Sequence, residues 1–136
     1  VKLPVSAPFH CRLMQPAAEL LANRLANASF NQISVPIISN VSATAVTDAE
    51  QFRKLLIDQV VSPVLWSESI QSCEKIITTT EDENKGEMNG ASTLYLELGP
   101  GHVLSTLAKQ NINRNNVATQ GLSSYEDVRE FLIANQ

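Results

Sequence analysis

Apolar residues recur at helical spacing soon after the chain begins: Met14, Ala17, Ala18, Leu21, Ala22 and Leu25 fall on one side, while Glu19, Asn23 and Asn27 fall on the other. This pattern predicts an amphipathic helix over residues 13 to 27, with Pro16 in its first turn, where the missing N–H costs nothing. Val35-Pro36-Ile37-Ile38-Ser39 is short and β-branched and reads as a largely buried strand, with Pro36 restricting its start. Thr47 or Asp48 then caps a second helix whose stripe is Phe52, Leu55, Leu56 and Val60. The Ser62-Pro63 pair ends that helix, because a proline disfavours helical geometry in the residue before it. A third helix, Val64 to Ile77, carries Trp66, Ile70, Cys73 and Ile77.

The period then disappears. Thr78 to Ser92 is polar, has almost no apolar content and predicts a mobile surface loop. Order returns with a strand at Leu94 to Leu98, a Gly99-Pro100-Gly101 turn and a helix over 103 to 110. A last short strand covers Val117 to Leu122, and a closing helix from Ser124 to Ala134 points Val128, Phe131 and Leu132 inward. Strands alternating with helices predict an α/β chain of parallel β/α units. The glycine turn suits close backbone approach. The helix start after it offers free amides, although neither a dinucleotide-binding nor a P-loop pattern is present.

At 136 residues the chain has room for one domain, and its 43% hydrophobic content is that of an ordinary globular protein. The net charge of -4 is concentrated in the 78–92 stretch, and no basic footprint for nucleic acid exists. No apolar run is long enough to span a bilayer, and the N-terminus shows no signal or transit pattern. Cys11 and Cys73 stand far apart, outside any paired metal-ligand spacing, and read as free thiols.

Candidate chemistry collects at Leu3-Pro4-Val5-Ser6-Ala7-Pro8-Phe9-His10, an extended run ending at a histidine just before the first helix. An imidazole on a strand-to-helix turn can take and return a proton near neutral pH, which suits a general base. A histidine satisfied by loop backbone is the alternative. A Cys11/His10 nucleophile pair is disfavoured, since adjacent side chains on an extended segment point opposite ways. His102 reads as exposed rather than catalytic.

Val5-Ser6-Ala7-Pro8-Phe9-His10, Leu13-Met14-Gln15-Pro16-Ala17, Val35 to Val41, Gln59-Val60-Val61-Ser62-Pro63-Val64-Leu65-Trp66 and Glu97-Leu98-Gly99-Pro100-Gly101 occur in one order. In that order they resemble the C-terminal part of malonyl-CoA:acyl carrier protein transacylases and the related synthase acyltransferase domains. The resemblance implies the C-terminal part of an α/β-hydrolase-like acyltransferase core over residues 1–136, with a disordered insertion at 78–92. It also implies that a nucleophile-bearing N-terminal part and a ferredoxin-like subdomain lie elsewhere. His10 falls on the family's catalytic base. Gln59 falls on the residue whose main-chain carbonyl orients that base, and the break at Pro63 gives a reason for a free carbonyl there; an ordinary helix-end glutamine is the alternative. Phe9 falls on a position tied to acyl selectivity, where a bulky ring favours malonyl over branched groups, with core packing as the alternative.

The implied substrates are malonyl-CoA and the phosphopantetheine arm of acyl carrier protein, with no permanent cofactor and no metal. The setting the resemblance implies is the cytoplasm if the source is bacterial, or an organelle, mitochondrion or plastid, if it is eukaryotic. No Gly-x-Ser-x-Gly elbow occurs in the sequence, so the chain alone is expected to be inactive, and an independent Ser/His hydrolase is disfavoured. A different class remains open: a non-catalytic module docking acyl carrier protein or another protein through Arg12, Lys109 and Arg114.

Overall fold

The computed structural model describes residues 8–83, 93–113, 115 and 117–135. The chain divides into two compact units, Val1–Cys73 and Glu74–Gln136.

In the first unit, a 3-10 turn at Arg12–Met14 leads into α1, Gln15–Ala26. The side predicted to face inward is the one that does: Ala18 is buried, Met14, Ala17, Leu21, Ala22 and Leu25 are half-buried, and Glu19, Asn23 and Asn27 are exposed. Two short strands, β1 (Ile37–Ile38) and β2 (Ala45–Val46), pair antiparallel, Ile37 opposite Val46. Here the structure corrects the expectation of parallel units: the Val35–Ser39 run forms one arm of a hairpin. Its turn is closed by Ser39 N–H donating to Thr44 O (3.1 Å) and Ala43 N–H donating to Ser39 O (2.7 Å), and Ala43 takes a left-handed φ of 53°.

Asp48 caps α2 (Ala49–Gln59), its carboxylate accepting from Gln51 N–H at 2.6 Å. Leu65 N–H donates to Asn40 O (2.8 Å) and the Ser72 hydroxyl to Ala43 O (2.5 Å), fastening the start of α3, Trp66–Glu83, to the hairpin. Val46, 1% exposed, and Ile70, 5%, are core residues of this unit.

The helix α3 also corrects the sequence reading. It runs to Glu83, so residues 78–83, expected to be loop, are helical; Thr78 and Thr79 turn their hydroxyls back onto the Glu74 and Lys75 carbonyls. The remainder of that stretch, 84–92, lies outside the described residues, as does the strand expected before Pro8.

In the second unit, β3 (Thr93–Leu98), α4 (Val103–Asn111) and β4 (Val117–Leu122) form the expected parallel β/α/β unit, Thr93 opposite Val117 and Leu98 opposite Leu122. Gly99 and Gly101 have φ of 127° and 96°, a region that side chains rarely enter, so the turn after β3 requires them. Ala108 and Leu122 are buried. Helix α5, Tyr125–Ala134, starts from a capping box in which the Ser124 hydroxyl accepts from Asp127 N–H and the Asp127 carboxylate accepts from Ser124 N–H. Val128 and Phe131 are half-buried as expected, but Leu132 is 56% exposed.

Candidate active site

Residues 8–11 form a turn ahead of α1, held by the Cys11 thiol donating to Pro8 O at 3.1 Å. That contact gives the thiol a local structural partner. His10 stands within the turn with φ of 55°, a left-handed conformation uncommon for a residue with a Cβ. Its side chain reaches the end of α2, where Nδ1 lies 2.9 Å from the Gln59 carbonyl oxygen. That oxygen is available for a simple reason. A helical carbonyl bonds the N–H four residues on, and the residue four beyond Gln59 is Pro63, which has no N–H.

A carbonyl oxygen can only accept, so the contact is a hydrogen bond when Nδ1 carries the proton. The neutral ring then has its lone pair on Nε2, the atom that can take a proton from a substrate or nucleophile. Among the described residues nothing bonds Nε2, and the ring is exposed. The Gln59 side chain also reaches the ring: its Nε2 is 3.3 Å from the same Nδ1. Neither this second contact nor the left-handed backbone at position 10 was legible in the sequence, which has no local signature for either.

Phe9, beside the imidazole, is 55% exposed and so is not a core residue of its unit. The first-turn amides of α4 are taken by the protein itself: Glu97 accepts from Leu104 N–H (3.0 Å) and Ser105 N–H (2.8 Å), which removes the anion-site reading of that turn. Ser105 is the largest influence holding the Glu97 carboxyl below its usual range; its N–H donates, and its hydroxyl stands close by without a well-formed hydrogen bond. The Leu104 N–H and the charge of His102 add to it. His102 is exposed and its ring lies against Gly121, whose missing Cβ makes room for it. Arg12 and Lys109 are exposed, and Arg114 lies outside the described residues. Among the described residues there is no group of three His, Cys, Asp or Glu side chains able to hold a metal ion, and no helix long and apolar enough to cross a membrane.

No family model matches the chain. Individual relatives do. The malonyl CoA-acyl carrier protein transacylase of Haemophilus influenzae is 34% identical over 132 residues, 96% of this chain, and that of Bacillus subtilis is 41% identical over 114 residues, 84% of it. The solved transacylase of Clostridium perfringens superposes with a TM-score of 0.72 at 34% identity over 99% of the chain. The chain is a relative of the malonyl CoA-acyl carrier protein transacylases.

The likeness has a definite extent. The chain spans 38% of the Haemophilus transacylase, 31% of the Bacillus one and 38% of the Clostridium structure. Another solved relative is described as a malonyl-transacylase in complex with its type II polyketide acyl-carrier protein; it matches at 32% identity with a TM-score of 0.70. A mouse relative named as mitochondrial is 38% identical over 107 residues.

Proposed function

We propose that this chain is the base-bearing part of a malonyl-CoA:acyl carrier protein transacylase. On this reading residues 1–136 are the C-terminal part of an α/β-hydrolase-like acyltransferase core, and His10 acts on a serine supplied by the rest of the enzyme. The observation that supports it most is the Nδ1-to-carbonyl contact with Gln59, which leaves the other ring nitrogen able to accept a proton.

The chemistry follows in two balanced halves. His10 Nε2 takes the serine proton as the alkoxide adds to the malonyl thioester; collapse breaks the C–S bond, and the imidazolium gives its proton to the coenzyme A thiolate. In the second half His10 takes the proton of the phosphopantetheine thiol of acyl carrier protein, that sulfur adds to the acyl-serine, and the proton returns to the serine oxygen. The Gln59 carbonyl holds the tautomer and ring orientation without placing a second negative charge nearby. Phe9 is proposed to narrow the acyl site against α-branched groups by its bulk. Malonyl-CoA and acyl carrier protein are the proposed substrates, and the cycle requires no permanent cofactor.

Labelled malonyl-CoA tests the reading. The isolated chain should remain unlabelled, while a full-length transacylase carrying this sequence forms an acyl-enzyme. His10→Ala in that protein should slow acyl-enzyme formation by roughly 100-fold or more, the range of a lost general base. Normal transfer by the His10→Ala protein would overturn the assignment.

A further inference from the structure

Two groups of one residue address one atom. The Gln59 carbonyl oxygen is 2.9 Å from His10 Nδ1, and the Gln59 side-chain amide nitrogen is 3.3 Å from the same Nδ1. The carbonyl can bond Nδ1 only when that nitrogen is protonated. The amide NH2, a donor, can bond it only when it is bare. The two contacts therefore favour opposite tautomers of the neutral ring.

We propose that the Gln59 side-chain amide is a positioning group for His10: it competes with its own main-chain carbonyl for Nδ1, and so sets the share of His10 in the tautomer that accepts a proton at Nε2. The inference rests on the reading of His10 as the base. The shorter carbonyl contact makes the Nδ1–H form the major one, and the amide draws part of the population to the Nε2–H form, which cannot act as base. Gln59 is half-buried at the last position of α2, which keeps its amide near the ring.

The test is the tautomer itself, read from the ring nitrogen shifts of the 15N-labelled chain at a pH where the imidazole is neutral. His102, in the other unit, serves as the internal control. The wild-type chain should show His10 shifts averaged between the two tautomers. Gln59→Met keeps the carbonyl and removes the amide, and should move His10 toward the Nδ1–H form with a change of roughly fivefold in the ratio, the size of one ordinary hydrogen bond. Gln59→Glu, whose carboxylate can only accept, should move it in the same direction, while His102 stays unchanged in both. Identical His10 shifts in all three proteins, or a move toward the Nε2–H form in Gln59→Met, would overturn the proposal. The two readings fail separately: normal transfer by His10→Ala removes the base but leaves the tautomer shift standing, and an indifferent tautomer leaves the base untouched.

Discussion

Pro63 stands four residues beyond Gln59, at the position whose N–H would close the next turn of α2, and it has no N–H to give. The carbonyl left over is the one that meets His10 at 2.9 Å. Restoring a donor there should divert it. Pro63→Ala supplies the N–H and also frees Ser62 to become helical, so α2 can lengthen and its new bond competes with the imidazole. In a full-length transacylase, acyl-enzyme formation should fall by about fivefold, the kinetic equivalent of one such bond, with little loss in melting temperature. Pre-steady-state labelling beside a thermal melt checks both halves.

Arg53 binds the first unit together from α2. Its guanidinium donates to Leu25 O and, at 3.0 Å, to Ala28 O, closing the C-terminal end of α1, and it stacks over the Phe30 ring 4.3 Å from its centroid. Its pairing with Glu50, 69% exposed, adds little. Arg53→Met keeps the aliphatic bulk but takes the guanidinium donor from Ala28 O and leaves Leu25 O with only its backbone N–H partners, and should cost about 1–3 kcal/mol in urea denaturation. Arg53→Lys should recover less than half of that, because a point charge cannot serve both carbonyls and the ring.

Gly99 and Gly121 should fail for different reasons when given a methyl group. At Gly99 the space is open but φ is 127°, so Gly99→Ala should cost about 1–3 kcal/mol through the backbone alone. At Gly121 an added Cβ would sit 2.5 Å from His102 Nδ1. Since that ring is exposed and can swing away, adding His102→Ala should relieve most of the loss at Gly121 and none at Gly99. A double-mutant cycle of unfolding free energies separates the two.

Acid should loosen the second unit. Asp127 is held below its usual carboxylate range first by the N–H groups of Ser123 and Ser124, then by the Ser124 hydroxyl; Glu97 is lowered in the same direction by Ser105 and Leu104. A carboxylate whose folded value lies below its unfolded one contributes stability that is present above the unfolded value and is lost as the pH falls through the folded one. The melting temperature should therefore drop below roughly pH 4, the unperturbed carboxylate range. Glu97→Gln and Asp127→Asn should each flatten that drop in melts recorded across pH.

Where burial repeats with a helix or strand period, the sequence was readable. Met14 to Leu25 marked the inward side of α1, and Val117–Leu122 is β4 residue for residue. The hairpin was not readable, because Ala45–Val46 is too short for any period, and the turn before it, closed by the Ser39 and Ala43 N–H groups, is anchored by the Ser72 hydroxyl on Ala43 O from a distant part of the chain. The end of α3 was not readable because residues 78–83 carry no apolar side chain and so no period, whereas in the fold the Thr78 and Thr79 hydroxyls find partners on the helix's own carbonyls. At the candidate site, the free carbonyl at Gln59 could be argued from Pro63, whereas the amide beside the ring depends on one side-chain rotamer.

The left-handed φ at His10 has a use at the bench. Asparagine adopts that backbone more readily than alanine does, while valine and isoleucine resist it. A library of replacements at position 10 should thus sort into two independent rankings, one for soluble expression and one for turnover. Asparagine would head the first and stand with the dead variants in the second, which makes it a cleaner chemical knockout than alanine.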